Sequence, residues 1–419
     1  MSIKLRLTIM SFLQFFVWGA WLITIGTYCL NAKGWTFPQF GAIFSTLALA
    51  SLFMPALTGI IADKWLNAER LYGILHIVYG LILFYVPKVD DPGTLYYVIF
   101  GAMICYMPTI SLSNSIAYTI LKRDGFDVVK VFPSIRVWGT IGFIVAMWCT
   151  NLSGSKDNSN QFIIGAVGAI ILGIFSFTLP KCPPPKSIAK DAGFAEQMGL
   201  QAFKLFGNYK MALFFLFSML LGAALQLTNM YGDSFLTSFD KIEAFKDSFL
   251  VKYSTIILSI SQMSETLFIL TIPFFLKKFG IKKVMLFAML AWVLRFGLFA
   301  YGDPTAMGTV HIILSCIVYG MAFDFFNISG SLFVETSTDS SIRSSAQGLF
   351  MMMTNGVGAW LGSTVSGMVI GKYYINADGS SNWQGIWFAF AVYALVIAIL
   401  FAVLFKHKHV PEEVATVQH

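Results

Sequence analysis

Three ionisable residues lie inside runs that are otherwise apolar enough to cross a bilayer. Arg136 lies in "PSIRVWGTIGF", Glu265 in "SISQMSETLFIL" and Asp324 in "VYGMAFDFFNISGSLFVE". A charge at the bilayer centre costs about 3 kcal/mol on insertion scales, so each needs a partner, a cavity or a purpose. Arg295, in "AWVLRFGLFAYG", is a fourth; it falls nearer a helix end, from which it can snorkel to water. For any one of them the plain reading is an ion pair that locks helices together. Their neighbours argue for more. At helical spacing Arg136, Thr140 and Phe143 line up on one stripe, and Gln226 and Asn229 lie one turn apart, as do Gln262 and Glu265. Tyr319, Phe323 and Asn327 stack at i, i+4 and i+8, with Asp324 about 100° around the helix from Phe323. Gln14, Trp18 and Trp21, and further on Thr109, Ser113 and Asn114, add polar and aromatic groups.

An aromatic stripe alone is usually packing. Here rings share faces with amides and carboxylates, the mixture that grips a flat, hydroxylated, uncharged molecule. Rings stack on a planar base, amides pair with its edges, and carboxylates accept hydrogen bonds from sugar hydroxyls. A broad drug exporter would show fewer amides, and an anion carrier would need excess buried cations. This set sums to one plus and two minus. If Arg136 pairs with one carboxylate, the other is desolvated alone, and desolvation favours the protonated acid. Glu265, Asp324 and Arg136 are therefore the candidates for coupling a proton to the substrate. No metal-binding run, H-E-x-x-H or exposed Ser/His/Asp set is present, and His76 and His311 are isolated, so neither an enzyme nor a cofactor or metal site is expected.

The elements that carry these residues follow from composition. Of 419 residues, 57% are hydrophobic and only 12% charged, too few charges to cover a soluble surface. Apolar runs of about 20 residues, the length a helix needs to span the hydrocarbon core, recur throughout. Punctuation between them defines twelve spans near 7–30, 38–62, 70–87, 94–121, 133–152, 161–180, 210–232, 251–275, 283–301, 306–333, 345–371 and 384–405. The expected fold is all-α and polytopic, with a six-helix bundle over 1–180, a linker over 181–209, a second six-helix bundle over 210–406 and a tail over 407–419. Nineteen lysines and arginines fall in segments that are inside if the N-terminus is inside, against seven outside; Arg136 and Arg295 complete the 28. That bias places both termini in the cytoplasm. The net charge of +7 is thus spread over loops, which argues against a nucleic-acid partner. The five cysteines have no paired spacing and read as small apolar residues.

An internal repeat agrees with two halves. "GIIADKWLNAER" follows span two, and "PFFLKKFGIKK" stands at the matching place after span eight. Both resemble, incompletely, the loop signature of the major facilitator superfamily: the first lacks the second glycine and the second lacks the aspartate. Longer stretches, "MSFLQFFVWGAW", "FMPALTGIIADKW", "FPSIRVWGTIGF", "FFLFSMLLGAALQLTNM", "SETLFILTIPFFL", "FAYGDPT" and "VYGMAFDFFNISGSLFVE", resemble the bacterial nucleoside permeases, the nucleoside:proton symporters of that superfamily. The resemblance runs from Met1 to about Lys408. It implies the superfamily fold, proton-driven import of purine and pyrimidine nucleosides by alternating access across the inner membrane, and a monomer. It implies binding positions at Arg136, Thr140, Phe143, Gln226, Asn229, Gln262, Glu265, Tyr319, Phe323 and Asp324. On this reading the face of Asp324 lines a wet cleft rather than lipid. A xanthosine-preferring permease, or a sugar or nucleobase symporter, is the alternative.

Overall fold

A computed structural model describes residues 2–184, 200–339 and 342–408. Among the described residues regular structure is helical, apart from one isolated bridge between Ile375 and Ser381. Spans one to six are built on Ile3–Gly19, Phe37–Lys64, Ala68–Tyr85, Pro92–Arg123, Val128–Leu152 and Asn160–Ser176. Span seven comprises Tyr209–Leu225 and Leu227–Thr237, and span eight is stepped through Phe249–Lys252, Ser254–Leu258 and Ile260–Ile269. Span nine lies in Ile272–Ala300 and span ten is Ala306–Ser337. Span eleven is Arg343–Met351 with Ala359–Tyr373, and span twelve is Trp383–Leu404.

Eight described helices are each long and apolar enough to cross a membrane. The remaining spans are shorter or interrupted. Span one stops at Gly19 and resumes as a π-helical turn, Thr27–Ala32; span eleven is relaxed by a second π turn, Met352–Gly358. Such irregular backbone is tolerated at membrane depth only where it is enclosed by protein or faces water.

One expected boundary changes. The lysine-rich run between spans eight and nine reads as a loop, yet helix continues through it, broken only at Gly280 with φ 75° and ψ 168°. That conformation is closed to residues with a Cβ, so one glycine reverses the chain where a loop was expected. Elsewhere the ends are set by capping. Thr36 and Gln39 form a reciprocal capping box at span two, Asp91 accepts from the Thr94 amide at span four (2.8 Å), and Thr305 caps span ten.

The chain divides into two compact units, Met1–Met198 with Asn229–Ser234, and Gly199–Thr228 with Phe235–His419. Within the first, span one packs on five and six, two on four, and three on four and six. Within the second, seven packs on eleven, eight on ten, and nine on ten and twelve. The pairs one–five, two–four and three–six thus recur six spans later, which is the repeat expressed as packing. Contact between transmembrane helices relies on small residues that let backbones approach. At Gly142 a Cβ would lie 2.1 Å from the Phe12 carbonyl oxygen, so spans one and five touch backbone to backbone there.

The expected linker is described in part, residues 185–199 lying outside the described set, as do residues 409–419 of the expected tail. Where the linker begins, the Cys182 amide donates to Glu69 (2.8 Å) and the Ala68 amide to the Cys182 carbonyl (3.0 Å), tying it to the start of span three. Glu69 is buried by this contact.

Candidate functional site

In the first unit, span five carries Arg136, Thr140 and Phe143 on successive turns. The Arg136 guanidinium lies 4.1 Å from the centre of the Phe15 ring on span one. Gly139 makes this possible, because a Cβ there would sit 2.6 Å from Phe15 and 2.8 Å from an Arg136 nitrogen. Phe143 meets Trp18 edge to face at 6.3 Å, and Trp18 leans on Tyr106 at 5.6 Å. Behind this wall is a hydrogen-bonded layer centred on buried Gln14. Its side chain accepts from the Tyr72 hydroxyl (2.6 Å) and donates to Thr109 (2.9 Å), while its carbonyl accepts from the Tyr106 hydroxyl (2.7 Å). Buried polar groups fully paired in this way rigidify what they support. Phe15 carried no signal in the sequence, since one phenylalanine among many does not reveal which cation it faces.

Gln226 and Asn229 are one turn apart in sequence, but the helix is interrupted between Leu225 and Leu227, and Gln226 caps the first segment. The two residues also fall to different units, Gln226 to the second and Asn229 to the first.

In the second unit, Tyr319 and Phe323 stack with ring centres 5.6 Å apart and planes 19° from parallel. Asp324 follows, 5% exposed, with its Oδ2 buried and without a hydrogen-bond partner. The Gln262 Oε1 on span eight is a second buried acceptor without a partner. Spans eight and ten are in backbone contact beside these groups: Ser264 donates to the Ile317 carbonyl, and a Cβ on Gly320 would lie 2.6 Å from the Ser264 backbone. This brings Glu265 against span ten, where its charge reaches Asp324 and Tyr319. Asn327, in line with Tyr319 and Phe323, turns away and donates to the Phe323 carbonyl on its own helix (3.1 Å).

Arg295 corrects an expectation. It does not snorkel: it is 2% exposed. Its Nη1 donates to the Ser315 carbonyl at 2.7 Å, and its guanidinium lies 4.5 Å from the Tyr319 ring centre, 5.4 Å from Phe299 and 5.9 Å from Trp292. Ring faces and a carbonyl replace enough of the hydration of a flat, weakly hydrated cation to hold it inside. Proximity to a helix end was outweighed by three aromatic neighbours on two spans.

Twelve spans in two repeats, several of them broken, with charges, amides and stacked rings at membrane depth, define a multi-pass carrier of the major facilitator superfamily fold rather than an enzyme. Residues 1–410 match the model of the family described as "Nucleoside H+ symporter", and the chain belongs to that family. It is 52% identical over 414 residues to the xanthosine permease of Escherichia coli (strain K12), covering 99% of this chain and 98% of that one. It is likewise 52% identical over 421 residues to the nucleoside permease NupG of the same organism, over the full length of both. A crystal structure of a mutant of the nucleoside transporter NupG matches with a TM-score of 0.94, covering 97% of this chain and all of the other.

Proposed function

We propose that this protein imports purine and pyrimidine nucleosides with protons, by exposing one site alternately to the two sides of a bacterial inner membrane, as a monomer with both termini in the cytoplasm. The observation that carries the reading is Asp324: a carboxylate at membrane depth, with one oxygen unpartnered, in the field of Glu265 and next to a stacked pair of rings. A carboxylate so placed either takes a proton or accepts a hydroxyl from a ligand, and a symporter needs both events. Tyr319 and Phe323 offer a base the flat surface it stacks on, and Gln262 offers an acceptor to its donor edge or to a ribose hydroxyl. In the other unit Arg136, Thr140 and Phe143 supply a cation, a hydroxyl and a ring, held by Phe15 and Trp18. Membership of the family supports nucleosides and protons as the species moved.

The test is uptake by purified protein in proteoliposomes, with labelled uridine, adenosine and xanthosine, with and without an inward proton gradient. Uridine and adenosine should accumulate above equilibrium only with acid outside. Asp324→Asn or Glu265→Gln should abolish that accumulation while exchange of internal for external nucleoside persists. The reading fails if both variants concentrate nucleoside like the parent. Because the identity to the xanthosine permease equals that to NupG, a xanthosine preference is the second reading, and the same assay decides it.

A further inference from the structure

We infer that Arg295 is a positioning residue for substrate binding, acting through the ring of Tyr319. The inference rests on the reading of Tyr319 as part of the nucleoside site. Arg295 is a cation on span nine buried to 2% exposure, and among the described residues no carboxylate lies within ion-pair distance of it. Burying a cation without a carboxylate is costly, so the surroundings that hold it deserve a reason. Its guanidinium donates to the Ser315 carbonyl (2.7 Å) and the Ser261 hydroxyl (3.4 Å). Those alone would describe a staple between spans eight, nine and ten. The ring contacts go further.

Of the three aromatic rings around the guanidinium, Tyr319 is nearest at 4.5 Å. Tyr319 is in turn stacked on Phe323 and met edge-on by Trp292 at 5.9 Å and 88°. A tyrosine has two side-chain torsions, and three contacts of fixed geometry leave it one orientation. The charges of Glu265, Arg295 and Asp324 all reach Tyr319. The ring is thus held by a cation in a setting whose other charges are both acidic. Removing the cation frees the platform without removing it, and the predicted signature is a weaker grip on substrate with translocation little changed.

The experiment is a double-variant cycle in proteoliposomes, reading KM and Vmax for labelled uridine and adenosine, with folding checked by monodispersity and thermal melting in detergent. Arg295→Met should raise KM about five- to tenfold with Vmax within about twofold, the scale of one ring orientation lost from a binding site. Tyr319→Leu should raise KM at least as much. In the combined variant the arginine change should add nothing. Arg295→Lys, which keeps charge but not the flat stacking group, should fall between, and it takes the place of Arg295→Met in the cycle should that variant not fold. A folded Arg295 variant with parental KM, or two effects that multiply in the combined variant, overturns the inference and leaves Arg295 a staple. Parental KM in Tyr319→Leu instead overturns the reading of Tyr319 itself, and the link to Arg295 with it.

Discussion

The contact between spans eight and ten at Gly320 invites the sharpest perturbation. A Cβ at this position would stand 2.6 Å from both the carbonyl carbon and oxygen of Ser264 and 2.8 Å from the Glu265 amide nitrogen, where ordinary contact begins near 3.4 Å. Since the obstructing atoms are backbone, no side chain can swing aside, and Gly320→Ala must part the two helices by about 0.8 Å at this level. Overpacking of this kind costs about 1–3 kcal/mol. Glu265 is carried by the backbone that must move, while Tyr319 adjoins Gly320 and Asp324 lies one turn further along span ten. Misplacement of about 1 Å at a reacting or binding constellation costs up to 100-fold in rate, so proton-driven uridine uptake should fall at least tenfold. The control is Gly297→Ala on span nine, where nothing lies within 4 Å of the added methyl. It should transport like the parent and melt no lower, because alanine suits a helix better than glycine by about 1 kcal/mol. Initial uptake rates and melting temperatures, measured on both variants in parallel, make the comparison. Parental transport by Gly320→Ala would refute the claim that this contact sets the spacing of Glu265 from span ten.

Other outcomes can be checked with the same preparations. Phe15→Leu removes the ring under Arg136, worth about 0.5–2 kcal/mol as a cation–π contact, and should raise the uridine KM severalfold without lowering the melting temperature much. Gln14→Leu strands the Tyr72 hydroxyl and takes from Thr109 its donor, while the Tyr106 hydroxyl keeps the backbone carbonyl it bonds; leaving one buried polar group unpaired costs about 1–3 kcal/mol, which thermal melting should register. Glu69→Ala removes the acceptor of the Cys182 amide and should cost about 2 kcal/mol of stability, together with faster protease cleavage just after span six. Thr36→Ala breaks the capping box of span two and should cost about 1 kcal/mol, seen as a small melting shift with uptake unchanged.

Much of the architecture was legible because lipid imposes a length and a composition on every span. The places where reading failed are those where packing, not polarity, decides. The lysines around Gly280 look like a solvated loop, and a loop was expected; a single left-handed glycine makes one unnecessary. Breaks within spans seven and eleven follow no proline or charge, and arise from how each segment fits its neighbours, whereas those of span eight include one beside Lys252 and one just before Pro273. For the candidate site, helical spacing sufficed to group Tyr319 with Phe323 and to put Gln262 and Glu265 on one helix, since a period of 3.6 is enough to pair residues a turn apart. It could not foresee that Asn327 bonds its own backbone, nor that Phe15 lies over Arg136, contacts that depend on side-chain torsions and on a second helix. Arg295 shows the limit most plainly. Distance from a helix end is readable in sequence, whereas which rings surround a guanidinium is not.

The reversal at Gly280 has a geometric corollary. Glu265 precedes it by fifteen residues and Arg295 follows it by fifteen. Equal counts do not set the charges level, because the Glu265 arm is broken after Ile269: the Arg295 carbonyl is bonded by Ser315, whereas the Glu265 amide lies against Gly320, about 7.5 Å further along span ten. With no slack at the hinge, a single inserted or deleted residue on either arm would slide one charge past the other by a full rise and swing it through about 100°. Length between these two charges is therefore as strictly specified as their identity.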